Sequence, residues 1–262
     1  MKQPAIYDYI IIGAGSAGCV LANRLSANPK HKVLLLEAGP SDRRFYIQMP
    51  IGYGKTFYQP KVNWMYQSEA SEGLNGRASY WPRGKTLGGS SSINAMVYVR
   101  GNASDFDDWR DAGNKGWGYQ DLLPYFKGME SWQQGADDYR GGDGPLNVAD
   151  VAGKLHPLCK PFVAAAQACG IDYNADYNGA VQDGVGHYQL TTHQGQRMSS
   201  ARAYLKPVLN RPNLKVICNA LVQRIVFANK RAVAVEYRHK NKNYEVTAHR
   251  EVILSAGAVN SP

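Results

Sequence analysis

The chain has 262 residues, 44% of them hydrophobic, with 27 Gly and 17 Tyr, which is the composition of a globular protein and excludes a disordered one. Lys and Arg number 30 against 21 Asp and Glu, a formal net charge of +9, yet no basic run is dense enough to form a nucleic-acid groove. The excess permits peripheral contact with an anionic membrane and does not demand it, and no stretch approaches the roughly 18 apolar residues of a spanning helix.

The start, Met1-Lys2-Gln3-Pro4-Ala5, has no apolar signal core. Tyr7-Asp8-Tyr9-Ile10-Ile11-Ile12 predicts a buried parallel strand, short and β-branched. Gly13-Ala14-Gly15-Ser16-Ala17-Gly18 follows without a break, and Cys19 to Leu25 has helical apolar spacing that Asn28-Pro29 stops. Lys32 to Gly39 predicts a second buried strand, with Glu37 placed 19 residues after Gly18. Strand, G-x-G-x-x-G, helix, strand and acid together are the context of a dinucleotide fingerprint. Gly13 allows the tight turn, Gly15 admits a pyrophosphate, and Gly18 lets helix and strand pack closely. The helix N-terminus turns its partial positive charge to the phosphates. Glu37 would accept hydrogen bonds from ribose hydroxyls and repel a 2′-phosphate, which disfavours an NADP-type ligand.

From Gly39 to Arg83 the pattern is irregular, punctuated by Pro40, Pro50, Pro60 and Pro82 and rich in aromatics. So long a loop predicts a lid over a bound cofactor, with a packed surface excursion as the plain alternative. Next comes Gly84-Lys85-Thr86-Leu87-Gly88-Gly89-Ser90-Ser91-Ser92-Ile93-Asn94. Adjacent Gly88 and Gly89 let backbone approach a ligand that any Cβ would block. Ser90 and its neighbours offer hydroxyls and N–H groups to phosphate oxygens.

Ser104 to Trp109 predicts a helix start with acids in its first turn, and Gly118 to Phe126 another. Asp138 to Pro145 is turn-rich and marks a boundary. Beyond it, His156 to Cys169 predicts a helix stopped by Gly170, Tyr188 to Thr192 a strand, and Ser199 to Leu205 a short helix before Pro207. Strands follow at Leu214–Cys218, Leu221–Phe227, Ala232–Arg238 and Tyr244–Ala248, with Asn229-Lys230 as one hairpin turn. Glu251 to Ala258 predicts a last buried strand. Asn260-Ser261-Pro262 then has the N-cap and first-position Pro that begin a helix, so the chain is expected to be a fragment of a longer protein. Cys19, Cys159, Cys169 and Cys218 show neither C-x-x-C nor a His spacing for zinc. They predict a reduced, cytoplasmic protein without a metal site, at most peripheral on the inner membrane face.

Gly84 through Asp107 resembles, along its length, the first signature of the glucose–methanol–choline (GMC) oxidoreductases, FAD-dependent enzymes that oxidise alcohols. The residues that carry the likeness are Gly84-Lys85, Leu87-Gly88-Gly89-Ser90-Ser91, Ile93-Asn94, Tyr98, Gly101 and Asp107. Glu251 to Pro262 resembles the start of the family's second signature region. The likeness spans essentially the whole chain and is strongest to the branch of choline dehydrogenases and bacterial alcohol dehydrogenases. It implies an α/β, Rossmann-like FAD-binding fold of GMC type with an inserted, incomplete α+β substrate domain and a missing C-terminal part. Residues 1–140 would be FAD-binding domain, 141–205 part of the substrate domain, and 206–262 a return to the FAD-binding domain.

The resemblance also implies roles. Gly13, Gly15, Ser16 and Gly18 would hold the FAD pyrophosphate and Glu37 the adenosine ribose. Thr86 and the run Asn94-Ala95-Met96-Val97 would line the flavin side, with Gly88, Gly89 and Ser90 in the cradle between. Val222 would meet the adenine through its backbone, and Ser255-Ala256-Gly257 would return to the cofactor. Some members tether their flavin through a His at the position of Ile93, which has no nucleophilic atom, so the FAD is expected to be non-covalent. The reaction implied is transfer of an alcohol's α-hydrogen as hydride to flavin N5, giving an aldehyde. The family's catalytic His comes from a C-terminal portion, and His187 and His193 read better as ordinary surface or structural residues. No catalytic residue is therefore assigned. An oxidase that uses O₂ and a non-catalytic flavin-binding fragment stand as alternatives. Nothing in the sequence selects the small-molecule alcohol, the electron acceptor or the oligomeric state.

Overall fold

Ile10, Ile11 and Ile12 and the run Val33 to Leu36 are almost wholly excluded from solvent, and they form the centre of a six-stranded sheet. Burial of each such side chain stabilises by roughly 1.5–3 kcal/mol. The computed structural model describes residues 5–262; Met1 to Pro4, the first residues of the segment expected to carry no signal core, lie outside the described residues. The chain divides into two compact units, one of Met1–Ala95 with Ser199–Pro262, the other of Met96–Met198.

In the first unit the strands are β1 (Ala5–Ile12), β2 (Val33–Leu36), β3 (Leu214–Ile217), β4 (Ala220–Ala228), β5 (Arg231–His239) and β6 (Lys242–Leu254), with helix α1 (Ser16–Leu25) between β1 and β2. Across the sheet the order is β3-β2-β1-β6-β5-β4. The first four of these run parallel and the last three form an antiparallel meander, β6 belonging to both. One β1-to-β2 crossover by a helix gives the Rossmann-like half that the glycine motif predicts. The hairpins turn on residue pairs with positive φ, Asn229-Lys230 as expected and Lys240-Asn241 besides, as two-residue turns between twisted strands require. The sheet core gathers Ile10, Ile12, Leu34 and Leu36 with Val235, Tyr237, Val246 and Ala248.

β6 differs from expectation. Tyr244–Ala248 and the stretch from Glu251 read as separate strands, but Lys242–Leu254 is continuous. A bulge in its pairing with β1, where Asp8 faces His249 and Arg250, interrupts the alternation without ending the strand. Nor is its last part fully buried: Glu251 and Leu254 are exposed. After β6 the backbone makes a turn, with Ser261 N–H donating to the Gly257 carbonyl at 3.0 Å, and Asn260 sits in that turn. The short helix expected at Ser199–Leu205 is present as a π-helical turn, Ala201–Leu205, but it does not stop before Pro207: it continues directly into a 3₁₀ turn, Lys206–Val208.

The second unit holds helices Ala103–Asp111, Tyr119–Met129 and Cys159–Ala168 and short strand pairs. Glu130–Trp132 pairs with Leu146–Val148, and Val97–Tyr98 with Gln189–Leu190. The stretch Tyr188–Thr192 is therefore two short strands, since Thr192–His193 pairs separately with Gln196–Arg197. The turn-rich residues 138–145 lie within this unit. Its centre combines Tyr98, Trp132 and Val148 with a buried ionic network. The Glu130 carboxylate meets the guanidinium groups of Arg100, at 2.7 Å, and Arg140, which in turn reaches Asp176 at 2.6 Å. Among the described residues no helix is long and apolar enough to cross a membrane.

Candidate cofactor site

The first unit contains a cavity of about 920 Å³ at the C-terminal ends of the parallel strands, where ligands bind in open α/β sheets. β1 delivers the chain to Gly13, whose N–H bonds the Leu36 carbonyl at 2.8 Å and whose φ of +95° a side chain would resist. A Cβ on Gly13 would stand 2.5 Å from the Ser255 carbonyl, and one on Gly18 only 1.9 Å from the Gly13 carbonyl. These two glycines are demanded by backbone packing. Gly15 is different: a Cβ there would meet nothing within 4 Å. It faces the open cavity as the N-cap of α1, which has no side-chain cap and no acid in its first turn. The positive end of a helix, without a side-chain cap, thus faces the open cavity.

The second glycine run meets the first. Gly88 N–H donates to the Ala14 carbonyl at 2.7 Å, and a Cβ on Gly89 would lie 2.7 Å from the Gly15 Cα. Gly84 is pressed against Gly89 in the same way, and Gly39 against Lys85. Paired glycines in Gly84–Asn94 therefore serve close backbone contact with the fingerprint loop. Ser90 lines the cavity and its hydroxyl accepts the Gly84 N–H at 3.1 Å.

Glu37 closes the far end of β2. Its two carboxylate oxygens accept the N–H groups of Ala14 and Gly39, each at 2.8 Å. Burial pushes its carboxyl up to about 7, against the opposing pull of those two donors and of Lys85. Each oxygen retains a lone pair, so the geometry still allows bonds from ribose hydroxyls.

Of the sequence-derived cofactor residues, Gly13, Gly15, Ser16, Glu37, Gly89, Ser90, Val222 and Ala256 line the cavity together. Gly18 packs behind it. Thr86 is fully buried, its hydroxyl donating to the Pro40 carbonyl at 2.9 Å. Gly88 is engaged with Ala14, as above. Asn94 and Ala95 end one unit while Met96 and Val97 open the other, and none of the four lines this cavity. Residues that the spacing did not single out also contribute. Trp64 and Tyr66 stack with centroids 6.0 Å apart, and with Arg83 they form one wall. Their concentration of aromatics inside a Pro-punctuated loop was the available signal. Ser255 ties β6 to the fingerprint, its hydroxyl donating at 3.0 Å to the carbonyls of Ile12 and Gly13.

Comparison with known proteins decides the family: a model described as GMC oxidoreductase matches residues 7–262. This chain belongs to the GMC oxidoreductases. It is 51% identical to an alcohol dehydrogenase [acceptor] of Pseudomonas putida, over 98% of this chain and 47% of the relative. It is 48% identical to the mitochondrial choline dehydrogenase of Mus musculus, over 98% of this chain and 44% of the relative. Among solved structures, pyridoxine 4-oxidase from Mesorbium loti superposes with a TM-score of 0.93 at 36% identity, covering 98% of this chain and 50% of that one. An FAD-dependent oxidoreductase from Chaetomium thermophilum gives a TM-score of 0.88 at 31% identity, covering 98% and 46%. The fold is the family's FAD-binding domain, and this GMC chain spans about half the length of the relatives it matches.

Proposed function

We propose that the chain binds FAD in the 920 Å³ cavity and forms the cofactor-holding part of an enzyme that oxidises a small alcohol to the aldehyde. The observation that carries this reading is Gly15: an uncapped helix N-terminus whose missing side chain opens onto the cavity, with an acid at the end of the next strand. Pyrophosphate suits the first and a ribose the second. When bound, FAD supplies the hydride acceptor for the alcohol carbon. The chain's own residues supply the rest. Gly13, Gly15, Ser16 and Ser90 position the phosphates, Glu37 the ribose, and the backbone of Val222 the adenine. Trp64 and Tyr66 shield one side from water. Thr86 and the run Asn94-Ala95-Met96-Val97 belong to the flavin side, and residues 141–205 to the substrate domain.

Binding is non-covalent in this reading, because Ile93 is 2% exposed and packed with Ile47 and Val62, where it offers no atom to a flavin. An intracellular, reducing setting belongs to the same proposal and is supported by four cysteines that are all free. The test is the visible spectrum of the purified chain before and after acid precipitation. Flavin bands that pass wholly to the supernatant support non-covalent FAD. Colour retained in the pellet overturns the Ile93 argument, and a folded chain that takes up no added FAD overturns the function.

A further inference from the structure

We propose that Arg83 is the counter-charge for the pyrophosphate of the bound cofactor. The inference rests on FAD occupying the cavity and deepens that reading.

A doubly anionic pyrophosphate carries more negative charge than the end of α1 offsets. A helix N-terminus contributes about half an elementary charge, and the first turn of α1, Ser16-Ala17-Gly18-Cys19, contains no basic side chain. Glu37 adds acid to the same cavity. Two cations line it, Arg83 and Arg224. Arg224 is already paired with Glu236 on the neighbouring strand. Arg83 makes no ion pair among the described residues.

Its surroundings hold it in place. The Arg83 N–H donates to the side-chain oxygen of buried Asn63 at 2.9 Å, and its carbonyl accepts from Trp64 N–H at 2.9 Å. The guanidinium lies over the Trp81 ring at 5.3 Å and spends one nitrogen, Nη1, on the Pro82 carbonyl. Nε and Nη2 remain to form the planar fork that suits phosphate oxygens. The side chain also starts next to the phosphate cradle: Gly84 follows it, Gly84 packs on Gly89, and Gly89 packs on Gly15.

The experiment is a titration of the 262-residue chain with FAD, followed by flavin fluorescence at low and high salt, for wild type, Arg83→Gln and Arg83→Lys. Arg83→Gln is expected to bind FAD about tenfold more weakly or worse at low salt. It should also lose most of the salt dependence that wild type shows. Arg83→Lys, a point charge without the fork, should fall between the two and keep the salt dependence. A merely structural role would weaken binding without flattening the salt response, and that result overturns the inference. So does an Arg83→Gln chain that binds as wild type does. If Arg83→Gln does not fold, wild-type affinity in Arg83→Lys at low salt overturns the fork, and loss of its salt dependence overturns the charge. A folded wild type that takes up no FAD overturns the cofactor reading itself, and this inference with it.

Discussion

Three glycines in one hexapeptide do three different things, and substitution separates them. At Gly15 a methyl group would enter open space with the backbone at an ordinary φ of −71°. Gly15→Ala is therefore expected to leave the thermal midpoint unchanged and to abolish or sharply weaken FAD uptake. At Gly18 the same methyl would lie 1.9 Å from a backbone oxygen, so Gly18→Ala is expected to cost about 1–3 kcal/mol or more through overpacking. Paired melting curves and FAD titrations check both, and equal effects on stability would refute the distinction. Glu37 adds a pH dependence. Its folded-state carboxyl is raised from 4.5 to about 7, so the protonated form is favoured by folding. Stability of the ligand-free chain is then full below pH 4.5, falls as pH rises to about 7, and is flat beyond. The whole loss is roughly 3 kcal/mol. Glu37→Gln should remove that slope, and denaturant midpoints of both chains between pH 5 and 8 would show whether it does.

Elements are set by local chemistry that a pattern locates only to within a few residues. The helix Ala103–Asp111 starts one residue earlier than its Ser104 suggests, because Asn102 is the cap. Its side chain accepts the Ser104 N–H at 3.0 Å while Asp105 accepts the Asn102 N–H at 3.2 Å, a reciprocal capping box. Asn102→Ala is expected to destabilise the second unit by about 1 kcal/mol, read from its urea midpoint, whereas Ser104→Ala should be near neutral. β6 makes the same point for strands. A two-for-one bulge opposite Asp8 hides one 13-residue strand as two shorter ones.

At the scale of the whole molecule, chain segments far apart in sequence hold one another through groups no local pattern reveals. Arg100, Glu130, Arg140 and Asp176 come from separate segments of the second unit and meet inside it. Burial alone would raise the Asp176 carboxyl, but Gln189, the Asn178 N–H and Arg140 together hold it below the usual range. Removing one member leaves uncompensated buried charge. Glu130→Gln is expected to cost about 3–5 kcal/mol and to speed proteolysis within residues 96–198. An unchanged cleavage rate would show the network to be dispensable.

Sequence alone determined the Rossmann-like beginning and the family, and it singled out the glycine loop that lines the cavity. It could do so because a buried strand, a glycine turn and a helix N-terminus are specified by residues adjacent in the chain. Gly13, Gly15, Ser16 and Glu37 were legible for that reason. Tertiary structure decided that Gly88 and Gly89 close against Ala14 and Gly15, that Thr86 turns to Pro40, and that Trp64, Tyr66 and Arg83 wall the cavity. Those contacts join residues tens of positions apart, and which of them form depends on how the sheet brings loop ends together, a quantity that spacing along the chain does not encode.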